Sequence, residues 1–255
     1  PEHWTRYQAK RALTQRDTTS VAKALRRWVS ALPQSPGIEH HLFEALGAYA
    51  TIEVVEPDLL RRLLRATDPR ARAYAARIVG RWHDRLDDPL GLLARCVLDE
   101  HPQVRMEAVM ACAAIPSPRS IEVAARVVDL PMDKWIDYAL TQAAHHLVPQ
   151  WIPAFQRGEV SFAEPNHLAA ILNKTGGRDV LKNLKNIVHT TALNPKSRQR
   201  TIAAILAVGG PNELREYGLD RKWFTRAGRY DAASHAEILA RLIWVARNRS
   251  VRPAG

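Results

Sequence analysis

The chain has 255 residues, 46% hydrophobic and 25% charged, with a net charge of +11. That length can bury a large core, and a composition rich in alanine, leucine and arginine favours helix. No apolar run approaches the roughly 20 residues needed to span a bilayer. Sustained apolar/polar alternation and an Asn-Gly hairpin turn, which would mark strands, are both missing. The charge is uneven: Lys174 to Gly255 holds 16 Lys+Arg against 6 Asp+Glu, while Pro1 to Asn173 holds 21 against 20. A chain that begins at Pro1, with no signal peptide, is expected of an excised domain or a processed product.

Apolar periodicity and helix punctuation predict helices near 3–14, 18–32, 37–52, 57–66, 69–83, 89–99, 102–115, 118–129 and 133–147. Asp68-Pro69, Asp88-Pro89 and Ser117-Pro118 each pair a capping residue with a proline, which is tolerated in a first helical turn because the N–H it lacks would have no partner there. Further helices are expected near 151–157, 163–174, 178–190, 196–208, 211–218 and 232–248, broken at Thr175-Gly176-Gly177 and Gly209-Gly210-Pro211. Asp220 to Tyr230, with Trp223 and Phe224, reads as an irregular loop or short helix.

The text repeats. Asp68-Pro69-Arg70-Ala71-Arg72-Ala73-Tyr74-Ala75-Ala76 returns as His101-Pro102-Gln103-Val104-Arg105-Met106-Glu107-Ala108-Val109, an offset of 33. Stepping back by the same amount reaches Glu39 and Arg6, where Arg6-Tyr7-Gln8-Ala9 resembles Arg105-Met106-Glu107-Ala108. A period of that length built from two short helices marks an α-solenoid. The expected fold is therefore all-α, a right-handed solenoid of about six or seven helical hairpins. The period near 33 holds over 1–151, and 152–255 is a degenerate, basic extension of the same solenoid.

Arg6, Arg72 and Arg105 share one repeat position, and Asp99 lies six residues before Arg105. The pattern resembles HEAT repeats, and that resemblance implies a ladder of aspartate and arginine between successive units. Such a ladder would supply partners for backbone groups left open at helix ends. Asp133 and Asp137 are expected on one face of the helix after Pro131, and Trp135 and Tyr138 on another. With Gln142 they form a candidate interaction face, set against the plainer reading that Asp133 starts the helix and the aromatics pack between repeats.

Lys182, Lys185, Lys196, Arg198 and Arg200 could line a groove that meets phosphates. This keeps open a nucleic-acid-binding repeat protein of a DNA-glycosylase-like kind, with Trp135 and Asp137 near the lesion, although no motif of those enzymes is present. The pairs His40-His41 and His145-His146 point to different helix faces and make no bidentate metal site by themselves. Cys96 and Cys112 sit on apolar stripes and are expected as buried thiols, a disulfide between them staying open. No Cys-x-x-Cys, Cys-x-x-Cys-His, Gly-x-Ser-x-Gly or His-Glu-x-x-His occurs, so no catalytic residue, cofactor or metal is expected of this chain.

One further resemblance rests on Asp68-Pro69-x-x-Arg72, Gly80-Arg81-Trp82, Asp99-Glu100-His101-Pro102-x-Val104-Arg105-x-Glu107-Ala108, and Met132-Asp133 through Asp137-Tyr138-Ala139-Leu140-x-Gln142. From Asp68 to Trp151 the chain resembles the HEAT-repeat region of large exported multidomain proteins of planctomycetes and verrucomicrobia, the haem-binding or membrane-bound dehydrogenase type. In that family a propeller resembling sugar dehydrogenases precedes the helical region and a cytochrome c domain follows it. The resemblance implies a non-catalytic spacer and scaffold, exported or periplasmic, whose partners are neighbouring domains or another protein. No membrane insertion is expected, because no apolar run is long enough to span a bilayer.

Overall fold

The computed structural model describes residues 3–35, 37–157, 159–160, 162–175, 181, 182, 184, 185, 188, 189, 198, 202, 205, 213, 216 and 217. The expected helix at 232–248, the stretch from Asp220 to Tyr230, both glycine breaks, Lys196 and Arg200 lie outside them. The described elements are all helical: α1 (His3–Leu13), α2 (Thr18–Ser30), α3 (Ile38–Thr51), α4 (Pro57–Leu63), α5 (Pro69–Arg81), α6 (Pro89–Cys96), α7 (Pro102–Ala114), α8 (Arg119–Ala125), α9 (Lys134–His146), α10 (Val148–Gln156) and α11 (Pro165–Lys174). This is an all-α helical-repeat architecture.

Local chemistry explains the boundaries. Asp17 accepts from the Ser20 N–H at 2.8 Å, Asp68 from Arg70 at 2.9 Å and Asp88 from Gly91 at 3.0 Å, so each offers an oxygen to an otherwise open donor. Pro57, Pro69, Pro89 and Pro102 stand in first turns. The helix expected over 118–129 is α-helical only to Ala125, then tightens into a 3-10 turn over Arg126–Asp129. At the end of α3, the Val54 N–H reaches back to the Tyr49 carbonyl at 3.1 Å, and Glu53 takes the left-handed conformation, φ 56°. Glycine usually fills that position. Here Arg81 and Arg85 both hold the Glu53 carboxylate, and Arg85 also donates to its backbone carbonyl at 3.1 Å.

The chain divides into two compact units, one of 1–116 with 129–143 and one of 117–128 with 144–255. In the first, α1 packs on α3, α3 on α5 and α5 on α7, so helices one repeat apart stack directly. The helices α2, α4 and α6 pack against this row as the second members of the hairpins. Its buried residues include Leu42, Leu46, Tyr49, Leu60, Leu63, Ile78, Val79, Trp82, Leu93, Val104, Val109, Ile136 and Leu140. Gly80 lets α5 meet α7 closely: a Cβ there would lie 2.8 Å from the Ala111 Cα. Cys96 and Cys112 are buried free thiols, and burial raises both, Cys96 to about 11.

In the second unit, α8 packs on α11. Trp151 is fully buried, with the Phe162 ring 5.9 Å away at 90° and Phe155 at 6.1 Å.

Candidate functional site

Two of the three arginines at one repeat position, Arg72 and Arg105, act on the turns between hairpins. Arg72 binds the Asp99 carboxylate through Nε at 2.8 Å and Nη2 at 2.9 Å, while its Nη1 donates to the carbonyls of Ala66 (2.9 Å) and Thr67 (3.0 Å). One period on, Arg105 donates through Nη1 to the carbonyls of Asp99 (2.7 Å) and Glu100 (2.9 Å). These are the counterparts of Ala66 and Thr67 in the following repeat. The next unit has Met132 where Asp99 would recur, and the Nη2 of Arg105 turns to the Pro131 carbonyl at 2.7 Å. The guanidinium fork thus serves the last carbonyls of one hairpin and an acceptor of the next.

At the equivalent place one repeat earlier the polarity is reversed. Glu39 accepts from the N–H groups of Thr67 (2.7 Å) and Asp68 (2.9 Å). Those two backbone bonds hold its carboxyl below the ordinary glutamate range. Arg6 pairs instead with Glu44 of α3 at 3.1 Å, a carboxylate it shares with Lys10 at 2.7 Å.

A titration test follows from Glu39. Its folded pKa is depressed, so its contribution is fully present above the unfolded value of about 4.3 and is lost as pH falls through the lower folded value. In urea melts between about pH 5 and pH 3, Glu39→Gln is expected to flatten the acid-side loss of stability. Glu44, Glu53 and Asp68 are also lowered, so part of the slope survives. A Gln variant with an unchanged slope would count against the role of this carboxylate.

On α9, Asp133 is the cap: its Oδ1 accepts from the N–H of Trp135 at 2.8 Å and of Ile136 at 2.9 Å. The Asp137 side chain is half-buried, and its backbone carbonyl takes the Thr141 hydroxyl at 2.8 Å. Ile136, Ala139, Leu140 and Ala143 are buried on one face. Trp135 and Tyr138 are 61% and 60% exposed on the other, with Gln142 exposed one turn beyond. The Lys134 ammonium lies 5.1 Å from the Trp135 ring centroid. The structure thus brings Trp135, Tyr138 and Gln142 onto one open face and uses Asp133 to start the helix.

The basic residues of the C-terminal third meet different fates. Lys182 is exposed. Lys185 is held by Glu213 at 2.7 Å and Glu216 at 2.9 Å, and these bonds raise its pKa. Arg198 donates to the Val188 carbonyl at 2.6 Å. Arg200 is outside the described residues.

Several contacts give no signal in the one-dimensional pattern. Arg77 of α5 pairs with the buried Glu107 of α7, its Nε 2.9 Å from the carboxylate. Glu107 falls opposite Tyr74 in the repeat register, which hides the pair. Among the described residues, no three His, Cys, Asp or Glu are grouped to hold a metal ion, and no helix is long and apolar enough to cross a membrane.

Stacked helical hairpins joined by arginine-capped turns define a helical-repeat class of fold. A family model of HEAT repeats matches residues 56–144, and that segment is a HEAT-repeat region. Such repeats generally serve as scaffolds and interaction modules. No curated protein and no solved structure matches the chain.

Proposed function

We propose that this chain is a non-catalytic scaffold that docks a neighbouring protein domain through the open face of α9. In the larger protein that the sequence resembles, it would be the spacer between a dehydrogenase-like propeller and a cytochrome c domain. The observation that carries the reading is the pair Trp135 and Tyr138, each about three-fifths exposed on a helix whose opposite face is buried. Two large aromatics side by side in water are costly to maintain on a surface that meets only solvent, and aromatic anchors dominate protein interfaces.

The test is a titration of the chain with the propeller and cytochrome c domains, each produced separately. Trp135→Ala with Tyr138→Ala is expected to weaken association by roughly 30-fold or more, since each anchor contributes on the order of 1–2 kcal/mol. The same pair should leave the melting temperature nearly unchanged, because neither side chain is buried. Binding that survives both substitutions overturns the docking face. A reading frame without the two flanking domains overturns the spacer role.

A further inference from the structure

A second surface of the first unit is built from the outer faces of α2, α4 and α6. Lys23, Arg27, Arg61, Arg62, Arg65 and Arg95 are all exposed there. Their register follows from burial. Aligning the buried pair Val21-Ala22 with Leu59-Leu60 puts Lys23 opposite Arg61 and Arg27 opposite Arg65. Aligning the buried residues Leu60 and Leu63 with Leu93 and Cys96 puts Arg62 opposite Arg95, an offset of 33. Adjacent hairpins therefore share cation positions in pairs, Lys23 and Arg27 of α2 with Arg61 and Arg65 of α4, and Arg62 of α4 with Arg95 of α6, on the side away from the core. Arg61 is drawn to Asp58 at 3.0 Å, while Arg27, Arg65 and Arg95 face no carboxylate among the described residues.

At one end of this row an apolar groove opens between α1 and α2. Leu13, Val21, Ala24, Leu25 and Trp28 line it. Trp28 is 41% exposed, and Lys23 and Arg27 flank the groove on the same helix. A cation row that begins beside an aliphatic groove has two complementary requirements in its ligand: negative charge along its length, and a large apolar side chain at one end.

We propose that this face binds an acidic protein segment in extended conformation, with a leucine-like side chain seated between α1 and α2 and carboxylates running over α4 and α6. Successive hairpins are about 10 Å apart, so the row spans roughly 20 Å. At about 3.3 Å per residue this is a segment of roughly six or seven residues. Arginine forks suit carboxylates at discrete positions. A continuous phosphate backbone suits the face less well. The groove surface is mainly apolar, with Leu13, Val21, Ala24 and Leu25 beside the single ring of Trp28, which seats one aliphatic side chain rather than a row of stacked bases.

The probe is a fluorescein-labelled synthetic peptide of about nine residues, one terminal leucine followed by alternating glutamate and serine, made in both chain directions. Anisotropy is read with the full chain at about 50 mM and about 300 mM salt. Binding in at least one direction is expected, weakening about tenfold or more across that range. Arg27→Glu with Arg65→Glu is expected to weaken it tenfold or more, and the milder Arg62→Gln with Arg95→Gln severalfold. Circular dichroism shows whether each variant is folded, and the milder pair carries the test if the charge reversal does not fold. Trp28→Ala, or serine in place of the leucine, should weaken binding severalfold. Trp135→Ala with Tyr138→Ala should leave peptide binding unchanged, which separates this face from the docking face of α9. No binding at low salt, full affinity in folded arginine variants, or tighter binding of a single-stranded or duplex oligonucleotide than of the peptide would overturn the proposal.

Discussion

Replacing Arg105 with alanine is expected to lower the melting temperature of the HEAT-repeat region by roughly 6–12 °C, from a loss of about 3 kcal/mol. The residue is 5% exposed, and its guanidinium donates to three backbone carbonyls, those of Asp99, Glu100 and Pro131. Alanine cannot reach them, and water has little access to a site that enclosed. An unmet buried acceptor costs about 1–3 kcal/mol, far more than a formed bond contributes net. Arg72→Ala should cost less, because Arg72 is only half-buried and its turn is also held by Glu39 from the N–H side. Thermal melts followed by circular dichroism check both. A shift below about 2 °C for Arg105→Ala would show that the carbonyls find other partners.

The second large effect is expected at Gly80. Alanine is the better helix former by about 1 kcal/mol, so propensity alone predicts that Gly80→Ala stabilises α5. Packing reverses the sign. The new methyl would stand 2.8 Å from the Ala111 Cα and 2.9 Å from its Cβ. Backbone cannot swing aside as a side chain can, so α5 and α7 must separate. Overpacking of this kind costs about 1–3 kcal/mol, which outweighs the gain. Gly47→Ala is the internal control. There the methyl would meet the Lys10 ammonium at 2.8 Å, the end of a flexible chain that can shift about its bond to Glu44, a carboxylate Arg6 also holds. That variant should lie within about 0.5 kcal/mol of the parent, on the stabilising side. Equal destabilisation of both would refute the distinction between backbone and side-chain neighbours.

Much of the local structure is legible in residue order. Aspartate before proline announces the starts of α5 and α6, and the observed ends of α1, α2, α3, α5, α7 and α9 fall within about two residues of expectation. The repeat period survives in the contacts, since Arg72 and Arg105 cap carbonyls at matching places in successive units. Where expectation runs long, at α4, α6 and α8, the last turn tightens rather than continuing as α-helix. A sequence pattern of apolar spacing does not separate those two forms well.

The candidate faces are only half legible. Trp135 and Tyr138 stand out, but their residue types alone leave open whether they pack inward or face solvent. The burial of Ile136 and Leu140 against the core decides it. Counting charge misdirects attention. Balanced acids and bases from Pro1 to Asn173 conceal arginines gathered on the outer faces of α2, α4 and α6, while part of the conspicuous C-terminal charge is spent on Glu213, Glu216 and a backbone carbonyl.

The described helices of the first unit, their caps and the repeat that stacks them are written in residue order, because helix periodicity, N-caps and proline act over one or two turns. Stacking sets what Arg105 donates to, why Gly80 must be small and which carboxylate holds Arg77. Each of those depends on a neighbour roughly one repeat away along the chain, brought close by stacking.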